Sequence, residues 1–218
     1  MAMIKPFKAL RPRSDLADQI AALPYDVMNS SEAQEMVKGN NYSFLRIDRG
    51  EINFPDLPDP HEPKVYAKAR EILDDMVAKG HFVQDKTDCL YIYRQIMDGR
   101  AQTGLVACTS IDDYNNNIIK KHEFTRPDKE QDRIDHIKAL HAQTGPIFQT
   151  YRDNAQIVRV INEWIDDHKP VYEFEAHNVE HICWVVDCPK TIQTLVELFG
   201  DVHYLYIADG HHRSAAAF

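Results

Sequence analysis

Positive charge is in short supply in this chain. Its 25 Lys and Arg stand against 34 Asp and Glu, a formal net charge of −9. Attraction to phosphates drives non-specific nucleic-acid binding, so an acidic chain sets that role aside. Long apolar runs are missing as well. None approaches the roughly 18 residues of a membrane helix, and Met-Ala-Met-Ile-Lys-Pro-Phe-Lys lacks a signal peptide's apolar stretch. A cytoplasmic protein without a membrane partner is expected. Cysteine is sparse: Cys89, Cys108, Cys183 and Cys188 form no C-x-x-C pair. Three of them sit in apolar, strand-like runs, where a buried thiol is the common outcome. Zinc-ligand spacings are therefore absent, and no zinc, haem or flavin is expected. The chain carries no P-loop, Gly-x-Gly-x-x-Gly, Gly-x-Ser-x-Gly or His-Glu-x-x-His motif, so those enzyme classes lose their main support. There is no internal repeat or low-complexity segment.

What remains is an ordinary globular balance, 44% hydrophobic and 27% charged, able to bury a core. Ile4 to Leu10 reads as a first strand ended by Arg11-Pro12. Leu23 to Met28 is apolar but broken by Pro24, an extended segment or loop near a site. Asn29-Ser30-Ser31-Glu32 opens a helix that Gly39 ends. Phe44 to Asp48 reads as a strand. Residues 50 to 63 hold Pro55, Pro58, Pro60 and Pro63, a loop and a sub-boundary. Val65 to Lys79 repeats apolar residues at helical spacing until Gly80. Leu90 to Met97 and Gly104 to Ser110 flank Asp98-Gly99, a hairpin signal. Asp128 to His141 is helical, and its two histidines read as solvated or capping. A strand at Pro146 to Tyr151 and a helix at Asn154 to Asp166 follow. Val171 to Ala176 and Ile182 to Val186 flank His177-Asn178, a second hairpin. A helix from Pro189 to Phe199 begins at proline. Antiparallel hairpins with helices between other strands predict an α+β fold, its mixed, partly antiparallel sheet flanked by helices. Residues 1–218 are expected to form one such unit, the N-terminal part of a longer protein.

The chemistry concentrates at the end. An apolar run, Tyr204 to Ala208, meets Asp209-Gly210-His211-His212-Arg213 and then alanines. This predicts an inner strand, a tight turn at Gly210 and a helix start. Helix starts offer unpaired N–H groups and a positive dipole end, which suit phosphate. Arg213 adds a forked donor, and His211 and His212 can shuttle protons or bind metal. A second cluster, Lys121-His122-Glu123-Phe124-Thr125-Arg126, stands between a strand and a helix beginning near Pro127. Thr125 is a candidate cap. Glu123 is a candidate general base, and Lys121, Arg126 and Arg133 are candidate phosphate partners. Asp26, after Pro24, either turns the chain or joins the site.

Asp209-Gly210-His211-His212-Arg213 resembles the signature of a branch of the ParB/sulfiredoxin-like superfamily that includes free-serine kinases. Over the whole chain the resemblance is to a large, mostly bacterial domain-of-unknown-function family, the "DUF ten-fifteen" family. It is carried by Pro6 to Pro12, Pro24 to Val27, His122 to Thr125 with Asp132-Arg133, and the final motif. That family continues beyond the motif, so the ParB/sulfiredoxin-like element is expected to be truncated here. The superfamily resemblance implies nucleotide phosphates at Asp209 to Arg213, with Lys121 and Arg133 assisting. It implies phosphoryl transfer from ATP or ADP to a small hydroxyl metabolite. For such a reaction His211 or His212 would touch the transferred group, and Glu123 or Asp26 would accept the acceptor's proton or hold magnesium, with Asp209 a further magnesium candidate. The alternative it implies is a ParB-like nucleotide-binding switch or interaction protein without metabolite chemistry. A nuclease role fits the acidic charge poorly.

Overall fold

The computed structural model describes residues 1–54, 56 and 59–217. Pro55 and Pro58 of the expected proline-rich loop lie outside the described residues. The strands are β1 (Ile4–Lys5), β2 (Leu10–Pro12), β3 (Phe82–Gln84), β4 (Leu90–Met97), β5 (Arg100–Val106), β6 (Cys108–Thr109), β7 (Ile119–Lys120), β8 (Phe148–Thr150), β9 (Tyr172–Ala176), β10 (Val179–Val186) and β11 (Leu205–Asp209). The helices are α1 (Ala17–Ile20), α2 (Ser30–Met36), α3 (Leu45–Asp48), α4 (Pro63–Ala78), α5 (Ile111–Asn115), α6 (Pro127–Leu140), α7 (Ala155–Asp167), α8 (Pro189–Gly200) and α9 (His211–Ala216). The fold is α+β with mostly antiparallel strands. The chain divides into two compact units: Met1–Ser14 with Gln84–His122 and Gln149–Ala208, and Asp15–Val83 with Glu123–Phe148 and Asp209–Phe218. Residues 50–63 fall inside the second unit.

The first unit holds a four-stranded antiparallel sheet, ordered β5-β4-β10-β9. Both hairpins are closed by two residues at positive φ, Asp98 (51°) with Gly99 (75°), and His177 (54°) with Asn178 (61°). That backbone matches the strand twist. Pairing of Met97 with Arg100 starts β5 at once, well before Gly104. Leu90, Ile92, Trp184 and Val186 alternate along their strands and are buried. Helices α7 and α8 bury Ile157, Ile161, Leu195 and Phe199. The Trp164 indole N–H donates to the Val185 carbonyl at 3.1 Å. The expected strand from Ile4 to Leu10 is broken in two, because Pro6 has no N–H to continue a ladder. β1 pairs with β6, and Phe7 bridges to Cys89. Cys89 is buried, but Cys108 lies exposed in the short β6, so the buried-thiol expectation fails there. β11 runs parallel to β7 as the inner strand of the order β7-β11-β8.

The second unit is helical around Leu16, Ile20, Ile47, Leu73, Met76 and Leu140. Asn29 caps α2 in a reciprocal box with Glu32. The helix ends at Met36, ahead of Gly39. Phe44 to Asp48, expected as a strand, is helical. Successive side chains of a strand alternate faces, so Leu45 and Ile47 would point the same way. On a helical turn they diverge, and each enters a different cluster. Ile47 joins the cluster above, and Leu45 packs with Ala33, Val37 and Ile52.

Candidate functional site

The chemistry of the second unit gathers at the first turn of α9. Leu205 and Ile207 are buried and fix β11. The chain then turns at Gly210, whose φ of 90° favours glycine over any residue with a Cβ. A methyl there would stand 3.2 Å from Arg213 Cζ and Nε, and one on Gly145 2.8 Å from Arg213 Cδ. Two glycines thus leave room for one arginine.

Arg213 is only 8% exposed. Its Nη2 lies 2.5 Å from Asp209 Oδ2 and 3.5 Å from Asp26 Oδ2. Its Nη1 donates to the Pro146 carbonyl. Nε is buried and has no hydrogen-bond partner among the described residues. His211, 5% exposed, places Nδ1 3.4 Å from Glu123 Oε2. His212 Nε2 accepts the Arg126 backbone N–H at 3.1 Å, so the proton of its neutral ring is on Nδ1.

Beside Arg213 is a small cavity of about 10 Å³, lined among others by Tyr25, Asp48, Arg133, His136, Thr144 and Arg213. Such a space holds about one water. Arg133 is buried, pairs with Asp132 at 2.6 Å and lies 4.0 Å over the Tyr25 ring. Asp132 also accepts from the Tyr66 hydroxyl at 2.8 Å and from His61 Nδ1 at 3.0 Å. Burial alone would raise the Asp132 carboxyl. Arg133 and these hydrogen bonds outweigh burial and hold it below the usual carboxylate range. The Tyr25 phenol is pushed up by burial, with Arg133 in opposition. The Pro24-broken segment is a loop that presents Tyr25 and Asp26 to the two arginines. Arg49 holds it there, donating to the Tyr25 carbonyl at 2.6 Å and the Met28 carbonyl at 2.8 Å. Glu51 and Ser30 hold Arg49 in turn.

A match of residues 4–218 to a protein-family model decides the relationship. The chain belongs to the DUF1015 family. That family is described as "Protein of unknown function". No curated protein and no solved structure matches the chain.

In this DUF1015 chain, Asp26, Glu123, Arg133 and Asp209 to Arg213 all belong to the second unit. Lys121 belongs to the first, where its ammonium donates to the Tyr114 carbonyl at 3.1 Å and lies 3.7 Å from that ring's centre. Thr125 does not cap α6. The capping position is Arg126, and the Thr125 hydroxyl donates to Glu130 at 2.8 Å. Arg49, Asp48, His61 and Thr144 join the network with no signal in the sequence around them. His136, expected to be solvated or capping, is 3% exposed inside α6, whereas His141 is the capping residue at the end of that helix. The His136 Nε2–H donates to the Ile47 carbonyl at 3.0 Å, which fixes the tautomer.

Burial, helped by Arg133 and opposed by Asp48, holds His136 below the usual imidazole range. The unfolded chain therefore takes up this proton first. Its contribution to stability is expected to be complete above about pH 6.5 and to shrink as pH falls from there to the folded-state value. Melting curves between about pH 7.5 and 5 check this. His136→Gln, which keeps an amide donor, should flatten that part of the profile; an unchanged slope would rule the assignment out.

Proposed function

We propose that the second unit binds a nucleotide by its phosphates at the α9 start and transfers a phosphoryl group to a hydroxyl of a small metabolite. The single observation that carries this reading is the convergence on one helical turn of His211 with its carboxylate Glu123, His212 held from the α6 start, and buried Arg213. Phosphoryl transfer depends on positioning and on charge neutralisation. Arg213, with Arg133 on the same small cavity, supplies positive charge. His211 takes the acceptor's proton, and Glu123 stabilises the imidazolium that forms. Asp26, 3.5 Å from Arg213, orients that guanidinium.

Among the described residues no group of three or more His, Cys, Asp or Glu could hold a metal ion. Magnesium commonly uses only one or two carboxylates plus phosphate oxygens. Glu123, with 57% of its side chain exposed, fits that part, whereas Asp209 is engaged by Arg213 at 2.5 Å. The ion would neutralise charge on the phosphates.

The ion cluster of Arg213, Asp209 and Asp26 favours a second reading, a ParB-like switch in which nucleotide binding reopens the cluster without metabolite chemistry. The two readings separate in one assay. The protein is incubated with ATP or ADP, magnesium and a panel of hydroxy amino acids, while nucleotide and phosphorylated product are followed. Acceptor-dependent consumption is the expected result. A melting temperature raised by nucleotide with no consumption would give the site to the switch. No shift with ATP, ADP, CTP or GTP at millimolar concentration would remove both.

A further inference from the structure

Phe124 is 98% exposed, an extreme value for a large apolar side chain. Its place in the second unit is tightly set. On one side, Glu123 Oε2 lies 3.4 Å from His211 Nδ1. On the other, Arg126 N–H donates to His212 Nε2 at 3.1 Å, and Thr125 is bonded to Glu130 at 2.8 Å. Neighbours of Phe124 on both sides thus reach the first two residues of α9, Glu123 by its side chain and Arg126 by its backbone N–H, while the ring itself is exposed. An apolar ring so exposed gains no burial in this state, and a planar group can reach its face.

We propose that Phe124 is the stacking surface for the base of the nucleotide. This rests on the phosphate reading of the α9 start and adds the part of the ligand beyond the phosphates. Every base has a π-face, so an aromatic side chain accepts any of them, and the larger purines gain most contact. The chemistry recognised is then a purine nucleoside polyphosphate rather than inorganic polyphosphate.

The test compares ATP with inorganic tripolyphosphate, both with magnesium, by calorimetry on the wild-type protein, Phe124→Ala and Phe124→Trp. Because the ring is exposed, both variants are expected to melt with the wild type. Phe124→Ala should weaken ATP by roughly 5- to 150-fold, the range that one lost base-stacking contact implies. It should leave tripolyphosphate unchanged. Phe124→Trp should retain ATP affinity, and its emission should be quenched on binding. The native Trp164 and Trp184 are only 7% and 4% exposed, so that signal is separable. Equal losses for both ligands would overturn the inference, as would unchanged ATP binding. Unchanged ATP binding with a lower mass by light scattering would assign the ring to a protein contact instead. If the wild type binds neither ligand, the phosphate reading itself fails and the stacking role falls with it.

Discussion

Replacing Arg213 by alanine is expected to lower the melting temperature by roughly 4–12 °C, corresponding to about 2–3 kcal/mol for a chain of this size. The side chain is 9% exposed and grips Asp209, Asp26 and the Pro146 carbonyl. Removing one partner of a fully buried pair costs about 3–5 kcal/mol, because the other charge is stranded. Here the stranded carboxylates are 62% and 41% exposed and can rehydrate, so the loss is smaller. What cannot be recovered is the packing of the arginine stem between Gly145 and Gly210. The same change should weaken nucleotide binding by about 10- to 100-fold, the scale of a lost charge-assisted hydrogen bond. Arg213→Lys should restore only part of each effect, since an ammonium lacks the planar fork. Lower melting with unaltered nucleotide affinity would make Arg213 a clamp of the turn and nothing more.

The largest effect on turnover is expected at His211. His211→Ala should reduce kcat by about 10²- to 10⁴-fold, the usual weight of a general base, while nucleotide affinity stays within about threefold. The residue is buried, so a loss of activity alone would not separate chemistry from folding. Glu123→Gln answers that. The Glu123 side chain is 57% exposed, so its substitution should leave melting unchanged and still lower kcat, through the imidazolium it no longer stabilises and the magnesium it no longer holds. A Glu123→Gln protein with full turnover would remove the His211–Glu123 pair from the chemistry.

Local signals in the sequence were sufficient where the backbone itself decides. Asp98-Gly99 and His177-Asn178 are hairpin turns because such residues accept positive φ. Asn29 and Asn154 cap their helices through their own side chains. The apolar run into Asp209-Gly210 is strand, turn and helix start because glycine permits the φ that this junction needs. Two of the failures, at residues 44–48 and at His136, share one cause, which is partners distant in the chain. Nothing near Leu45 says that it and Ile47 serve different clusters. His136 is buried by a carbonyl from residue 47, 89 positions away. The same holds for the site. Its motif residues were legible, but Arg49 as the holder of the Tyr25–Asp26 loop was not, since its partners are carbonyls that any sequence would supply.

The second unit is closed by a segment beginning at Asp209, although its first segment begins at Asp15. Synthesis is vectorial. A nascent chain must expose the whole of residues 15–83 and 123–148, and all of the first unit, before α9 leaves the ribosome. At about 5–20 residues per second, the earlier helices wait several seconds or more for the element that carries His211 and Arg213. Chains interrupted before Asp209 contain both β4 and β10 but lack the turn that carries His211 and Arg213. The turn that carries His211 and Arg213 is therefore synthesised after the other segments of its own unit, 15–83 and 123–148.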